Sequence, residues 1–345
     1  MDDILSLAQL TTARNLALEI VRVTEAAALS SFPWIGKGNK NEADHAATEA
    51  MRAVLSKIYI SGTVVIGEGE LDEAPMLYNG EQVGRWGHND PGVEIAVDPL
   101  EGTALCAKNK PNAITCIAIT DGKFLRAPDM YMYKIVVGEE AKGVIDLKLT
   151  PAENFIRIAR AKGKEIEDLN VITMERERNQ YIIDDARKLG CKVTLISDGD
   201  VSASLYALLD RSPIDVYMGI GGAPEGVITA AAVKCVGGDM QARLAFDITG
   251  GVLDIPKLKE RCIGMGITDF DKIYRTEDLA QGHSLFAASG VTDGELLHGV
   301  STMKKGFSVE SVVMRSRTGT VRWLHSEYMA EKKEDAAGQN GANEV

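Results

Sequence analysis

Strands and helices alternate three times between residues 171 and 236, and this alternation constrains the fold more than any other feature of the chain. Short runs rich in Val and Ile predict the strands, and longer amphipathic segments predict the helices. The strands are predicted over residues 171–174, 193–196 and 216–220, and the helices over 181–189, 201–209 and 227–236. Such a pattern predicts parallel βαβ units with right-handed crossovers. The second half is therefore predicted to be an α/β domain.

The first half has a different pattern. Apolar residues at helical spacing predict helices over residues 5–29 and 42–58, the second with Asn41 as its cap. Strands are predicted over residues 63–66, 93–97, 113–119 and 133–137. We therefore predict an α+β metal-binding domain over residues 1–165 and a substrate-binding domain over 166–330. Residues 331–345 lack periodicity and are predicted to be disordered.

Charge and cysteine content exclude several classes of protein. The 345 residues carry a net charge of -12, which disfavours binding to nucleic acid or an anionic membrane. A phosphorylated ligand would therefore need local cations or metal ions. The five cysteines form no CxxC pair, as expected in a reducing compartment. With no signal-like N-terminus and no run of about 18 apolar residues, the protein is expected to be cytoplasmic.

A strand that ends in two carboxylates and a hydroxyl group predicts a metal site. Asp98 and Glu101 are three residues apart, and Thr103 follows them. Pro99 cannot continue a central ladder, and Gly102 lets the backbone approach a ligand closely. Carboxylates and a threonine in this arrangement are suited to Mg²⁺ or Mn²⁺ holding a phosphate.

Other carboxylates occupy positions where a solvated charge is hard to explain. Asp44 shares its helical face with Ala47 and Met51, so its charge needs a partner. Glu68 and Glu70 follow a predicted strand in a glycine-rich turn. The alternative for Asp44 is that its charge only interacts favourably with the helix dipole. The alternative for the glycine-rich turn is an ordinary solvated loop. Together with Asp98 and Glu101, however, these residues form a set of hard oxygen donors.

Three strands of the second half end in polar loops, over residues 175–178, 197–200 and 221–226. Ligands of open α/β sheets bind at this carboxyl edge, so the loops are predicted to converge. Arg176 and Arg178 can grip a phosphate, and Asp198 and Asp200 can accept hydrogen bonds from sugar hydroxyls. Glu225 begins a helix, where it favours the dipole or reaches a metal ion. Each loop alone is also compatible with ordinary turn chemistry.

A dinucleotide site is a rival interpretation of the last loop. Gly219, Gly221 and Gly222 lie between a strand and a helix, which loosely matches the G-x-G-x-x-G fingerprint. Pro224 replaces the third glycine, and Glu225 places an anion where a pyrophosphate would bind. An oxidoreductase is therefore the remote alternative.

The motif over residues 98–103 resembles the metal-binding signature of the lithium-sensitive sugar phosphatases. Together with residues 67–70, 127–132, 198–200 and 221–226, it is similar to the class II fructose-1,6-bisphosphatase family over about residues 15–328, most of all to its cyanobacterial dual-function fructose-1,6-/sedoheptulose-1,7-bisphosphatases. The resemblance implies a layered α/β/α/β/α fold with the active site between the two halves. It also implies hydrolysis of the 1-phosphate of both sugar bisphosphates, in the Calvin cycle and gluconeogenesis.

The resemblance also implies ligands and site residues. Roughly two or three Mg²⁺ or Mn²⁺ ions are expected per site, together with a homotetramer and inhibition by AMP. Asp44 and Glu68 match the ligands of one metal ion, and Asp98, Glu101 and Glu225 match those of another. The substrate-binding positions are matched by Glu101, Gly102, Thr103, Tyr131, Arg176, Glu177, Arg178, Asp198, Gly199, Asp200 and Gly222.

A metal-activated water is the expected nucleophile, with Thr103 orienting or deprotonating it through a carboxylate such as Glu70. Glu68 and Asp98 are the other expected catalytic residues. An inositol-phosphate or other sugar-phosphate phosphatase is the main alternative, and a non-catalytic binding module is a further one.

The predicted AMP region is the N-terminal helical segment. Thr11, Thr12, Arg14 and Arg22 offer hydroxyl groups and cations for a phosphate there. An ordinary amphipathic packing helix is the alternative for this segment.

Overall fold

The computed structural model of the protein describes residues 16–69, 76–248 and 254–329. The predictions for Glu70, Thr11, Thr12, Arg14 and the tail 331–345 concern positions outside the described residues. The strands are β1 (Ser61–Ile66), β2 (Gln82–Val83), β3 (Gly92–Glu101), β4 (Ile114–Thr120), β5 (Tyr131–Val137), β6 (Asn170–Met174), β7 (Lys192–Ile196), β8 (Val216–Gly222), β9 (Asp239–Leu244), β10 (Tyr274–Arg275), β11 (Ser284–Gly290), β12 (Ser301–Met303), β13 (Gly306–Arg315) and β14 (Thr320–Met329).

The α-helices within these ranges are α1 (Ala17–Ser31), α2 (Lys40–Leu55), α3 (Thr103–Ala107), α4 (Pro151–Ala161), α5 (Gln180–Lys188), α6 (Asp200–Leu208), α7 (Ala223–Val236), α8 (Ile255–Gly264) and α9 (Thr276–Leu279). Short 3-10 helices also occur at Phe32–Trp34, Glu139–Ala141, Ile166–Asp168 and Glu177–Asn179.

The strands form two mixed sheets. The eight-stranded sheet has the order β12-β13-β11-β4-β3-β1-β2, with β14 paired to β13. The six-stranded sheet has the order β10-β9-β5-β8-β6-β7. In this second sheet β6 pairs in parallel with both β7 and β8, which confirms the predicted βαβ units. β5 pairs antiparallel with β8 and β9, so the first residue of β5 lies at the same edge as the carboxyl ends of the parallel strands.

Five layers result, in the predicted order α/β/α/β/α. Helices α1 and α2 cover the outer face of the eight-stranded sheet through a core that includes Ile20, Met51 and Ile117. Helices α6 and α7 lie between the two sheets. Helices α4 and α5 cover the outer face of the six-stranded sheet, where Phe155 and Ile182 are buried.

Helix α7 is the centre of the middle layer, and small side chains make this position possible. Its sequence includes Thr229-Ala230-Ala231-Ala232, all of them buried. A helix that meets a sheet on each side needs apolar residues all round, and α7 has them. Pro224 is compatible with its first turn, so the helix begins at Ala223, four residues before the predicted start.

Both predicted N-terminal helix boundaries need correction. The described part of the first helix is Ala17–Ser31, so it ends two residues beyond the prediction. The cap of α2 is Asn39 and not Asn41, because the Asn39 side chain accepts a hydrogen bond from the Glu42 amide at 3.3 Å. This helix ends at Leu55, and the amides of Lys57 and Ile58 bond three residues back, to the carbonyls of Val54 and Leu55.

The division into two domains at residue 165 stays a prediction. Each sheet contains strands from both sides of this position. β5 comes from the first half of the chain but lies inside the six-stranded sheet. Strands β11 to β14 come from the C-terminal region but belong to the eight-stranded sheet. The sequence predicted no element after residue 236, so these strands were missed.

All five cysteines are free and buried. Burial raises the pKa of the Cys106 thiol to about 11 and that of Cys235 to about 12. Among the described residues, every helix is too short or too polar to span a lipid bilayer.

Replacement of Phe155 by Ala is expected to lower the free energy of unfolding by about 3–5 kcal/mol, because a fully buried ring would leave a cavity. The Tyr181→Ala variant, which changes a ring that is 43% exposed in the same layer, is the matched control and should cost far less. Thermal and urea unfolding measure the difference, and equal losses would contradict the assignment of Phe155 to the outer core.

Candidate active site

A cavity of about 760 Å³ opens where the two sheets and the middle helices meet. The carboxyl ends of β6, β7 and β8 contribute Arg176, Asp198 and Gly222, and the start of β5 contributes Tyr131. This confirms that the three polar loops converge on one crevice, as parallel strands require.

All five predicted metal ligands line this cavity, although they come from separate elements. Asp44 lies on α2, Glu68 follows β1, Asp98 and Glu101 lie on β3, and Glu225 lies in the first turn of α7. The structure therefore brings together acidic groups that are up to 181 positions apart in the chain.

The local backbone explains how one strand presents two carboxylates and a hydroxyl group. The register between β3 and β4 shifts between Asp98 and Glu101, so the strand is irregular there. The Leu100 amide donates a hydrogen bond to Asp98 Oδ1 at 3.2 Å. Gly102 has a φ of +82°, a left-handed conformation that allows α3 to begin directly at Thr103. Thr103 consequently lines the same cavity.

Asp44 and Glu68 are close enough to share a hydrogen bond. Burial and the neighbouring carboxylates of Asp44 and Asp98 raise the pKa of Glu68 to about 9. Burial also raises the pKa of Asp44. Without a cation, the two carboxyl groups therefore hold a proton where two anions would repel each other.

The other three predicted ligands are also crowded by neighbouring carboxylates. Burial, followed by the charge of Glu225, raises the pKa of Asp98 well above its usual value. Burial, followed by the charge of Asp98, does the same for the pKa of Glu101. Burial also raises the pKa of Glu225.

Carboxylate oxygens that lack a hydrogen-bond partner support a metal site at this position. Glu101 Oε1 accepts a hydrogen bond from the Val201 amide at 2.8 Å, but its Oε2 and Glu225 Oε2 are buried and make no hydrogen bond within the described ranges. Hard oxygen donors with unmet bonding capacity fit Mg²⁺ or Mn²⁺. Within the described ranges, no three acidic, thiol or imidazole side chains lie close enough to one another to hold a metal ion. The fit therefore depends on their shared cavity, their burial and their chemistry.

The predicted phosphate grip also lies in the cavity. Arg176 and Arg178 both line it. The Arg178 guanidinium stacks 4.2 Å from the centre of the Tyr131 ring, and its Nε donates to the Ile220 carbonyl at 2.8 Å. These contacts fix the orientation of the Arg178 side chain at the rim of the cavity.

The loop between β7 and α6 places its residues in different roles. Asp198 lines the cavity. Gly199 has a φ of +99° and precedes the first residue of α6, so it shapes the turn and does not line the cavity. Asp200 lines the cavity but forms a buried ion pair with Lys134. The prediction that Asp200 is simply an acceptor for a sugar hydroxyl is therefore incomplete.

Some predicted site residues are not brought to the cavity. Glu177 begins a 3-10 helix, where its side chain is exposed and does not line the cavity, because that turn directs it to solvent. Arg22, which was predicted for an AMP site in the N-terminal segment and not for this cavity, is exposed on α1.

Sequence reasoning missed Lys134, Arg261 and Asn79. Arg261 lies on α8 and Asn79 precedes β2, and both line the cavity. No motif marks either of them. Lys134 carried a signal, because it alternates with Met132 and Val136 on the inward face of β5. A charge on that face requires a partner.

Comparison with known proteins identifies the family of this chain. The family described as bacterial fructose-1,6-bisphosphatase, glpX-encoded, matches residues 14–328. The fructose-1,6-bisphosphatase 1 class 2 of Escherichia coli strain K12 is 44% identical over 329 residues, covering 93% of this chain and 97% of that protein. The class 2 enzyme of Haemophilus influenzae is 44% identical over 322 residues, covering 91% and 96%. The family inferred from the motifs is confirmed: this chain belongs to the class II, glpX-encoded fructose-1,6-bisphosphatases.

Proposed function

We propose that the protein is a metal-dependent phosphatase that removes the 1-phosphate from fructose 1,6-bisphosphate and from sedoheptulose 1,7-bisphosphate. The observation that carries the proposal is that the five proposed metal-binding carboxylates line one cavity together with Arg176 and Arg178. Acidic groups alone would repel a bisphosphate, whereas carboxylates that hold cations, opposite two guanidinium groups, attract both of its ends. The names of the class 2 relatives support fructose 1,6-bisphosphate as a substrate.

The metal ligands in this proposal are those that the family resemblance implies. Asp44 and Glu68 hold one Mg²⁺ or Mn²⁺, and Asp98, Glu101 and Glu225 hold another. When bound, such ions neutralise phosphate oxygens and lower the pKa of a coordinated water until it becomes a nucleophile.

The side chains and backbone of the protein orient the attacking water and the phosphate. Thr103 begins α3 at the cavity wall, and we assign its hydroxyl group to hold the attacking water in line with phosphorus. Gly102 brings its backbone close to the phosphate that leaves. Glu70, the expected proton acceptor of Thr103, lies outside the described residues.

The distal phosphate and the sugar occupy the other side of the cavity. Arg176 and Arg178 bind the phosphate that is retained, and Tyr131 keeps Arg178 in place. Asp198 accepts hydrogen bonds from the sugar. The volume of about 760 Å³ lies in the range of sites for whole small molecules, which supports room for a seven-carbon chain as well as a six-carbon one.

The alternatives fit the cavity less well. An inositol-phosphate phosphatase has one phosphate to bind and no use for the Arg176 and Arg178 grip. A dinucleotide would place its pyrophosphate beside Glu225, in a cavity that already holds other acidic groups. Inhibition by AMP, a homotetramer and a cytoplasmic location stay predictions.

Phosphate release from four substrates tests the proposal. With Mg²⁺ or Mn²⁺, we expect release from both bisphosphates, little from fructose 6-phosphate or inositol 1-phosphate, and none in EDTA. Release from the fructose ester alone would remove the sedoheptulose activity from the proposal. Preferential hydrolysis of inositol 1-phosphate would overturn it.

Replacement of Asp98 by Asn is expected to lower kcat by about 100-fold or more, because it removes a charged donor from the acidic cluster without changing its size. Glu175→Gln is the matched control, since Glu175 is exposed and does not line the cavity. Steady-state kinetics and titration of Mn²⁺ by calorimetry measure the two effects. Wild-type turnover and metal affinity in Asp98→Asn would contradict the assignment.

The metal-free protein is expected to lose stability as the pH rises from about 4.5 to about 9. In the unfolded chain Glu68 ionises near the ordinary glutamate pKa of 4.5, whereas in the folded protein it keeps its proton up to a pKa of about 9. Between these values the folded state binds more protons than the unfolded state, so the free energy of unfolding falls with pH. Thermal unfolding in EDTA measures this fall, which Glu68→Gln or saturating Mg²⁺ should reduce. An unchanged slope in Glu68→Gln would contradict the explanation.

A further inference from the structure

Lys134 is a charged residue in an otherwise apolar strand. Its side chain is completely buried and lies between the sheets, on the same face of β5 as Met132 and Val136. An ammonium group removed from water is stable only when its donors are bonded.

Its partners belong to two segments of the candidate active site. Lys134 Nζ forms an ion pair with Asp200 Oδ2 and donates a hydrogen bond to the Gly222 carbonyl at 2.7 Å. Asp200 is the first residue of α6, and Gly222 is the last residue of β8. Both residues line the cavity. One buried cation therefore joins the start of a helix to the end of a strand at the site.

Glycines make room for this arrangement. A side chain at Gly221 would overlap with the Asp200 carboxylate. A methyl group at Gly226, in α7, would lie 3.2 Å from Cδ of Lys134 and 2.8 Å from the sulfur of Met132. The backbone around Lys134 and Asp200 thus leaves space for the ion pair and for little else.

The ion pair engages one of the two Asp200 oxygens. Oδ2 bonds to Lys134, whereas Oδ1 is buried and makes no hydrogen bond among the described residues. Because Lys134 holds Oδ2, the Asp200 carboxylate keeps one orientation beside the cavity that this residue lines.

We infer that Lys134 is a positioning residue for the phosphatase reaction, which fixes Asp200 and Gly222 for the sugar part of the substrate. The inference rests on the proposed function. Lys134 acts through Asp200 and the Gly222 carbonyl and itself touches no substrate. The inference predicts that loss of Lys134 affects the affinity for a sugar bisphosphate far more than the chemistry at phosphorus.

The metal-saturated enzyme provides the test, with Lys134→Met, Asp200→Asn and the double variant. Lys134→Met is expected to raise KM for fructose 1,6-bisphosphate by about tenfold or more, with a much smaller change in kcat. Hydrolysis of p-nitrophenyl phosphate, which has no sugar, should change little. Lys142→Met, at an exposed lysine after β5, is the matched control and should behave as wild type.

The double variant separates positioning from folding. Lys134→Met alone leaves Asp200 buried without a partner and can prevent folding, whereas the double variant removes both charges. If Lys134 acts through Asp200, the double variant has a KM no higher than that of Asp200→Asn alone. Circular dichroism and thermal unfolding show which variants are folded.

Three results would overturn the inference. They are a wild-type KM in a folded Lys134→Met variant, additive effects in the double variant, and equal losses of activity on both substrates. If the wild type is active and Lys134→Met is unchanged, only this inference fails. If the wild type releases no phosphate from the bisphosphates, the proposed function fails and the inference fails with it.

Discussion

The hydrogen bond between the Val201 amide and the Glu101 carboxylate, at 2.8 Å, joins the two sheets at the candidate active site. Glu101 ends β3 of the eight-stranded sheet, and Val201 lies in α6, which follows β7 of the six-stranded sheet. Because Glu101 is only 4% exposed, its position is set by this bond and by the surrounding core. One side chain thus caps a helix with one oxygen and leaves the other for a proposed metal ion. This bond therefore links directly the two parts of the cavity that are proposed to bind the metal ions and the substrate.

Electrostatic repulsion is the cost of this arrangement. Asp98, Glu101 and Glu225 have raised pKa values, since each is removed from water beside other acids. A core that was optimised for stability alone would replace them by apolar residues. The protein keeps them, and the five-layer scaffold provides enough buried surface to tolerate them. Lys134 offsets only part of this negative charge, and the remainder is consistent with the cation binding proposed for the cavity.

Much of this could be predicted from sequence, for physical reasons. The alternation of apolar strands and helices after residue 171 requires parallel units, and parallel units place Arg176, Asp198 and Gly222 at one edge. Chain order does not reveal that β5 enters the second sheet, since that depends on long-range pairing. Lys134 was missed because lysine in a strand is usually solvent-exposed. Arg261 was missed because only tertiary packing brings α8 to the cavity. Glu177 matched a motif, but its local turn exposes the side chain.

The burial of all five cysteines has a practical consequence. A thiolate is the species that reacts with alkylating reagents, and burial both blocks access and raises the pKa of Cys106 and Cys235 to about 11 and 12. All five cysteines of the native chain are consequently expected to react slowly, and each is expected to become labelled when its own layer opens. Cys191 lies in the outer core and Cys116 in the central one. The order in which the cysteines are alkylated would therefore report the order in which the layers open. A cysteine introduced on the surface would be labelled selectively, without removal of the native ones.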